Sequence, residues 1–177
     1  MTAVVDFIGE IVAKTSAKVK PNIGKDVFYQ YGNLINIDNI LVSYSQTAAF
    51  REKKYPAIFL IKKFTESKEK DPDIETEASL QLLIVMDTSV NYREADREEK
   101  VFKPILYPIY ETFIKQLKKD SRVKLQKFGL LPHNKTDCSL ISSEYQVQTA
   151  RGTKNLFTDN LDAIYISNLK LTLLKTC

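Results

Sequence analysis

"EKVFKPILYPIYETFIKQL", residues 99–117, carries two conflicting instructions. Phe102, Ile105, Leu106, Ile109, Phe113 and Leu117 recur at helical spacing, as in an apolar stripe facing a core. Yet Pro104 and Pro108 sit inside the run, four residues apart. A proline in a helix interior removes a hydrogen bond and clashes with the carbonyl four residues back. Two geometries reconcile the signals. A first helix ends near Phe102 and Pro104 opens a second, in a first turn that needs no amide donor. Alternatively, one long helix kinks at Pro104. In both, Pro108 falls in the turn or two after the break, where its missing amide costs least. Upstream, "NYREADREEK" (91–100) supplies a start, with Asn91 as cap, Glu94 at the N3 position and acidic first turns that suit the helix dipole. The spacing predicts a bent or broken helix over 92–119, with Phe102, Ile105, Ile109, Phe113 and Leu117 facing a sheet.

The sheet is written on either side of this element. "EASLQLLIVMD" (77–87) alternates, with Leu80, Leu82, Ile84 and Met86 in one phase and Ser79, Gln81, Leu83 and Val85 in the other. A period of two is a strand signature. "YPAIFLIKKF" (55–64) is a near-continuous apolar run, and its Pro56 belongs at the first position of a strand. Between them "TESKEKDPDIETE" (65–77) is highly charged and carries an Asp-Pro turn. Residues 55–87 read as a long antiparallel hairpin whose tip, 65–77, projects as a charged, solvated loop. At the end of the chain "LDAIYISNLKLTLL" (161–174) is also a strand. Ile164 and Ile166 share one phase while Leu169, Leu171 and Leu173 share the other. A β-bulge near Ser167-Asn168, or a bend between two strands, would produce that switch.

Residues 4–14 fit an amphipathic helix through Val4, Val5, Ile8, Ile11 and Val12, with Asp6 and Glu10 on its other side. "VKPNIGKD" (19–26) breaks it at Pro21 and Gly24. The β-branched and aromatic stretch 27–44 reads as one or two short strands or a turn-rich crossing. Residues 122–156 read as an irregular excursion of short apolar pieces and polar turns. The expected architecture is a single α+β domain over 1–177. Its sheet is twisted and mostly antiparallel, packed on one face by the N-terminal helix and the long bent helix.

Composition limits what such a domain can do. Of the 177 residues, 44% are hydrophobic and 27% charged, the profile of a globular protein. No stretch reaches the roughly 18 apolar residues that span a bilayer, so no membrane partner is expected. The N-terminus lacks a signal-peptide pattern. Two cysteines, Cys138 and Cys177, far apart in sequence, suit a reducing cytoplasm. Net charge is +4 but uneven: +4 over residues 1–70, −6 over 71–100 and +6 over 101–177. An acidic segment between basic ones can supply complementary faces in a self-assembling protein. The candidate interface charges are Asp71, Asp73, Glu75, Glu77, Glu94 and Glu98 against Lys118, Lys119, Arg122 and Lys124.

Motifs for chemistry are scarce. There is no glycine-rich phosphate loop, and a single histidine, His133, cannot build a His-rich zinc site. His133, Asp137 and Cys138 lie within six residues, but a nucleophilic pair would need them to face each other. The acids of 71–77 lack the glycine and spacing of a calcium loop. No metal or cofactor is expected. Nucleic-acid binding is the alternative: Lys115, Lys118, Lys119, Arg122, Lys124 and Lys127 cluster at and beyond a helix end, and would contact phosphates without sequence preference. The helix dipole accounts for part of that cluster.

The order of elements resembles one family. Tyr55-Pro56 opening a strand, the hairpin into "LQLLIVMDTS" (80–89), the helix "READREEKVFKPILYPIYETFIKQL" (93–117) and the closing "NLDAIYISNLKLTLL" (160–174) are similar to the tail-terminator and head–tail connection (neck) proteins of tailed bacteriophages. The likeness covers most of 3–119 and 157–174 and rests on element order. It implies a sheet backed by helices and a homo-oligomeric ring, a hexamer or alternatively a dodecamer. That ring would be stacked between portal complex and tail tube, in a virion assembled in the bacterial cytoplasm. It implies no catalysis. DNA would pass through the ring, with Lys115, Lys118, Lys119 and Lys127 as the DNA-facing candidates. The 65–77 tip would order on assembly.

Overall fold

The computed structural model of the chain describes residues 4–62, 65–67, 75–141, 146–149 and 152–174. The fold is α+β. Its elements are α1 (Val4–Ile23), β1 (Phe28–Gly32), α2 (Leu34–Ser45), α3 (Ala48–Arg51), β2 (Ala57–Ile61), β3 (Thr65–Ser67) and β4 (Glu75–Asp87). They continue with α4 (Glu94–Arg97), a π-helical segment (Glu98–Leu106), α5 (Tyr107–Lys119), β5 (Asn134–Cys138), β6 (Gln146–Thr149), β7 (Gly152–Asn155) and β8 (Leu161–Leu174). The main sheet runs β1-β2-β4-β8-β5, with β3 also on β4; β6 and β7 form a separate two-stranded ribbon. Among the described strands only β1 and β2 pair in parallel.

The hairpin expected over 55–87 is present, with Ala57 opposite Val85 and Leu60 opposite Leu82. The strands reach further than expected. Thr65–Ser67 pair with Glu77–Ser79, so both ends of the expected 65–77 loop are ladder rather than loop. The tip itself, residues 68–74 with Asp71 and Asp73, lies outside the described residues. The phase switch in β8 is a bulge: Leu80 faces Leu169 but Leu82 faces Ile166. Asn168 takes the left-handed conformation at φ 52°, which Asn tolerates better than most residues. Ile164 and Ile166 above the bulge, and Leu169 and Leu171 below it, are thereby all buried.

The proline-bearing helix is one continuous helical run from Glu94 to Lys119, not two helices. Pro104 is absorbed in π-type turns, where Tyr107 N–H reaches back five residues to Phe102 O and the turn widens. The wider turn changes the buried set: Leu106 is fully buried and Ile105 only half-buried. The start also differs. Arg93 is the cap, and the Asp96 carboxylate accepts its amide at 3.3 Å. Asn91 lies before the helix and donates its amide to Ser89.

Two further expectations are corrected. α1 runs to Ile23 through Pro21, because Thr15, Ser16 and Val19 continue the buried stripe. Gly24, at φ 71°, closes it by donating to Lys20 O. Residues 34–45, expected as strand or crossing, form a helix. Asn33 caps it by accepting from Asn36 N–H at 2.8 Å, and Ile37 and Leu41 are its buried stripe.

α1 and α5 pack together on the sheet face to which Tyr29 points; its hydroxyl donates to Val5 O at 2.9 Å. Neighbouring strand residues point to opposite faces. Phe28 therefore meets Tyr44 of α2, ring centroids 5.5 Å apart, on the far side of the β1 edge. Helices thus cover both faces near β1, and all five residues of β2 are buried.

One buried ion pair fixes the start of the long helix to the sheet. Arg97, 1% exposed, donates through Nη1 to Asp162 Oδ1 of β8 at 2.6 Å; Asp162 is fully buried. Arg97 also reaches Thr88 Oγ1 at 3.1 Å and Ser89 O at 2.9 Å. Leu140 N–H donates to the same Asp162 oxygen at 2.9 Å, and Oδ2 has no hydrogen bond among the described residues. No described helix is long and apolar enough to cross a membrane.

Candidate functional site

The expected interface charges are partly spent within the chain. Glu75 accepts from Lys124 Nζ at 2.8 Å. Arg122 binds Asp120 at 2.9 Å and Glu10 at 2.7 Å, and its guanidinium lies 4.7 Å from the centre of the Phe7 ring. These contacts tie the segment after α5 to α1. The Arg122 guanidinium, helped by Lys14, holds the Asp120 carboxyl well below the usual carboxylate range, although burial opposes the shift. Glu94 accepts from Ser139 Oγ at 2.8 Å. Glu98 accepts from the Tyr107 hydroxyl at 3.3 Å, and that hydroxyl also reaches Asp137 at 3.1 Å. Desolvation first, then Asp137, pushes the Tyr107 phenol up to about 12. Glu77 is half-buried in β4. Lys115, Lys118, Lys119 and Lys127 are exposed. The first three lie on one stretch of α5, and Lys127 sits apart on the loop beyond it.

The His133, Asp137 and Cys138 cluster is not assembled as a nucleophilic centre. His133 uses Nε2 on Tyr110 Oη at 2.8 Å and Nδ1 on Leu131 O at 2.7 Å. Asp137 accepts from Lys135 at 2.6 Å, and Cys138, its neighbour on β5, turns to the buried side. Among the described residues no group of three or more His, Cys, Asp or Glu side chains gathers where it could hold a metal ion.

Sequence reasoning missed a polar cluster in a cleft of about 1010 Å³ beside Gly24, Arg51 and Asp87. Lys54, 5% exposed, donates to Asp159 Oδ2 at 2.5 Å and to Ser45 Oγ at 2.6 Å. Tyr55 donates to the same Asp159 oxygen at 2.8 Å. Burial, then Asp159, raises the Tyr55 phenol far above its ordinary value. These groups satisfy one another. They clamp the end of α2 and the start of β2 to the segment before β8, which suits fastening better than catalysis.

The remaining candidate surfaces are the two edges of the sheet. β1 is one edge. Residues 27–50, which form β1, α2 and all of α3 but Arg51, contain one charged residue, Asp38, in a chain that is 27% charged. Tyr31 (46% exposed), Ile35 (52%) and Phe50 stand out from this segment. Protein interfaces lose charged residues at their centres and gain aromatic ones. That depletion was readable in the sequence and is the signal that could have found the edge.

The opposite edge is β5 together with residues 122–132, which run beside the lower part of β8. Lys124 N–H donates to Thr172 O, and Lys170 N–H donates to Pro132 O. Lys124, Lys127 and Lys135 line this edge, Lys124 paired with Glu75 and Lys135 with Asp137 of β5. A tight turn projects from it, closed by Gln126 N–H donating to Leu130 O at 3.1 Å. At its tip Phe128 is 97% exposed and left-handed at φ 64°, next to Gly129 at φ 69°. A left-handed backbone costs a non-glycine residue about 1–2 kcal/mol.

No protein-family model matches the chain, and no curated protein matches it.

Proposed function

We propose that this chain is a non-catalytic, ring-forming subunit of a bacteriophage virion. It would be a tail-terminator or neck ring, a hexamer in the first instance, at the head–tail junction. Identical copies associate head to tail around a channel that DNA traverses, with portal and tail-tube proteins on the flanking sides. One observation carries the reading: the two open edges of the sheet are unlike each other. A closed head-to-tail ring needs two different surfaces on opposite sides of each subunit. Here one is poor in charge and aromatic, the other lined by lysines and their carboxylate partners with a projecting phenylalanine. The order of strands and helices, with the Tyr55-Pro56 opening and the closing strand over 161–174, supports the virion assignment.

The internal pairing of Glu75 with Lys124, and of Arg122 with Glu10 and Asp120, shifts the basis of association. Apolar edge contact leads and the expected charge matching assists. Sedimentation velocity with negative-stain microscopy tests the proposal. Annular particles of uniform size are expected. A single chain at every concentration tested overturns it.

A further inference from the structure

We infer that duplex DNA lies against the outer surface of the α1–α5 layer, and that Lys18 of α1 holds its phosphates together with Lys115, Lys118 and Lys119 of α5. This rests on the reading that DNA traverses the ring and deepens it by naming the surface of each subunit that faces the channel.

The basic cluster that runs from Lys115 to Lys127 along the chain divides in space. Arg122 is spent on Glu10 and Asp120. Val123 is buried and bridged to Leu173. Leu173 faces Thr76, in phase with Leu80, Leu82 and Ile84 of β4; Ile84 faces Ile58, which faces Tyr29, on the side that the helices cover. Neighbouring residues of an extended chain point to opposite faces, so Lys124 turns away from the helices, where it meets Glu75. Lys127 stands three residues further on, in the projecting turn. Lys115, Lys118 and Lys119 stay exposed on α5, and α1 adds to them. Glu10, Lys14 and Lys18 form one row, each a turn apart. Glu10 meets Arg122 at 2.7 Å and Lys14 meets Asp120 at 2.8 Å. Numbers rise along α1 as they fall towards α5, so the two helices are antiparallel, and the next turn carries Lys18 alongside the last turns of α5. Packed helix axes lie about 8–10 Å apart, which joins the lysines into one field.

The fold itself does not call for this field. Lys18, Lys115, Lys118 and Lys119 make no ion pair among the described residues. The helix dipole favours Lys118 and Lys119 in the last turn of α5 but falls off before Lys115, and Lys18 lies before the last turn of α1. The nearby carboxylates Glu10 and Asp120 are taken up by Arg122 and Lys14, which leaves Asp6 at the far end of α1 and Glu111 one turn before Lys115. A duplex carries one negative charge per about 1.7 Å of its axis, so a lysine field two helices wide meets several phosphates at once. An anionic membrane surface would also attract lysines, but a helix that lies on one buries an apolar face in it. None of the exposed large apolar residues stands on α1 or α5, which favours the nucleic acid.

Lys18→Gln tests this, because it removes the charge and keeps a good helix former; its Tm and assembly should match the wild type. Fluorescence anisotropy of a short labelled duplex, titrated across salt, reads the binding. Lys18→Gln should weaken it about five- to tenfold at about 0.1 M salt, and lower the slope of log affinity against log salt by about 0.9 for each subunit on the duplex. Lys115→Gln should do the same and Lys127→Gln should do neither. A wild-type slope in K18Q, or a loss in K127Q as large as in K18Q, overturns the inference. So does tighter binding of the wild type to phosphatidylserine vesicles than to the duplex, or a wild-type chain that forms rings and leaves the duplex free. Each of these leaves the ring reading to stand on sedimentation alone. A chain that stays single and still binds the duplex through Lys18 overturns the ring and upholds the lysine surface.

Discussion

Replacing Arg97 by Met is the most informative single change to the fold. Arg97 is 1% exposed, and its guanidinium hydrogen-bonds to Asp162 at 2.6 Å, Thr88 at 3.1 Å and the Ser89 carbonyl at 2.9 Å, with Glu94 a longer ion pair at 3.9 Å. Methionine fills much of the volume of the stem but leaves the fully buried Asp162 carboxylate without its counter-charge. Breaking a buried pair from one side costs about 3–5 kcal/mol. In a chain of this size each kcal/mol moves Tm by about 2–4 °C, so a fall of about 6–20 °C is expected. Urea unfolding followed by circular dichroism should show the same loss with an unchanged m-value. The mechanism is then checked by adding Asp162→Asn, which removes the charge and keeps the oxygen that accepts from Leu140 N–H. The double variant should regain about 2 kcal/mol or more over R97M, because the stranded charge, rather than lost packing, dominates the damage. An R97M loss below about 1 kcal/mol, or a double variant weaker than R97M alone, would refute the reasoning.

Three more outcomes follow from described contacts. Asp120 titrates below its unfolded value of about 3.9 because of Arg122 and Lys14. Its contribution is therefore complete above that pH and lost as pH falls through the folded value. Asp120→Asn should be destabilised at pH 7, with the gap to wild type closing below about pH 4, as read by urea melts across pH. Gly24→Ala meets no neighbouring atoms but must hold φ 71°, so it should lose about 1 kcal/mol; an unchanged midpoint would mean that α1 ends differently. The wild-type chain should retain duplex DNA at low salt, with affinity falling as salt rises. Changing Lys115, Lys118 and Lys119 together to Glu should abolish retention without moving Tm, and retention by that variant would place the DNA contact elsewhere.

What could be read beforehand was whatever local periodicity encodes. The alternation of 77–87 and the phase switch at Ser167-Asn168 are properties of one strand, so the hairpin and the bulge were both legible. α2 was not. Ile35, Ile37, Ile40 and Val42 favour strands by side-chain shape, and only the cap at Asn33 and the burial of Ile37 and Leu41 reveal the helix. The boundary shift from Ile105 to Leu106 depends on five-residue hydrogen bonding around Pro104, which composition does not announce. Pairs distant in sequence were invisible: Arg97 with Asp162 and Lys54 with Asp159 are 65 and 105 positions apart. The same holds for Glu75 with Lys124, which sequence reasoning placed on different subunits. Phe128 looked like part of a short apolar piece, since only the turn geometry turns it outward.

The single surplus residue in β8 acts as a phase corrector for everything downstream of it. Without the left-handed Asn168, strict two-residue alternation would carry Asn168, Lys170 and Thr172 inward and tip Leu169 and Leu171 into water. One-residue insertions or deletions elsewhere between Leu161 and Leu174 should therefore invert a whole segment. At 167–168 the ladder already has slack, and that is the place where the length of this strand can drift over evolutionary time without the interior noticing.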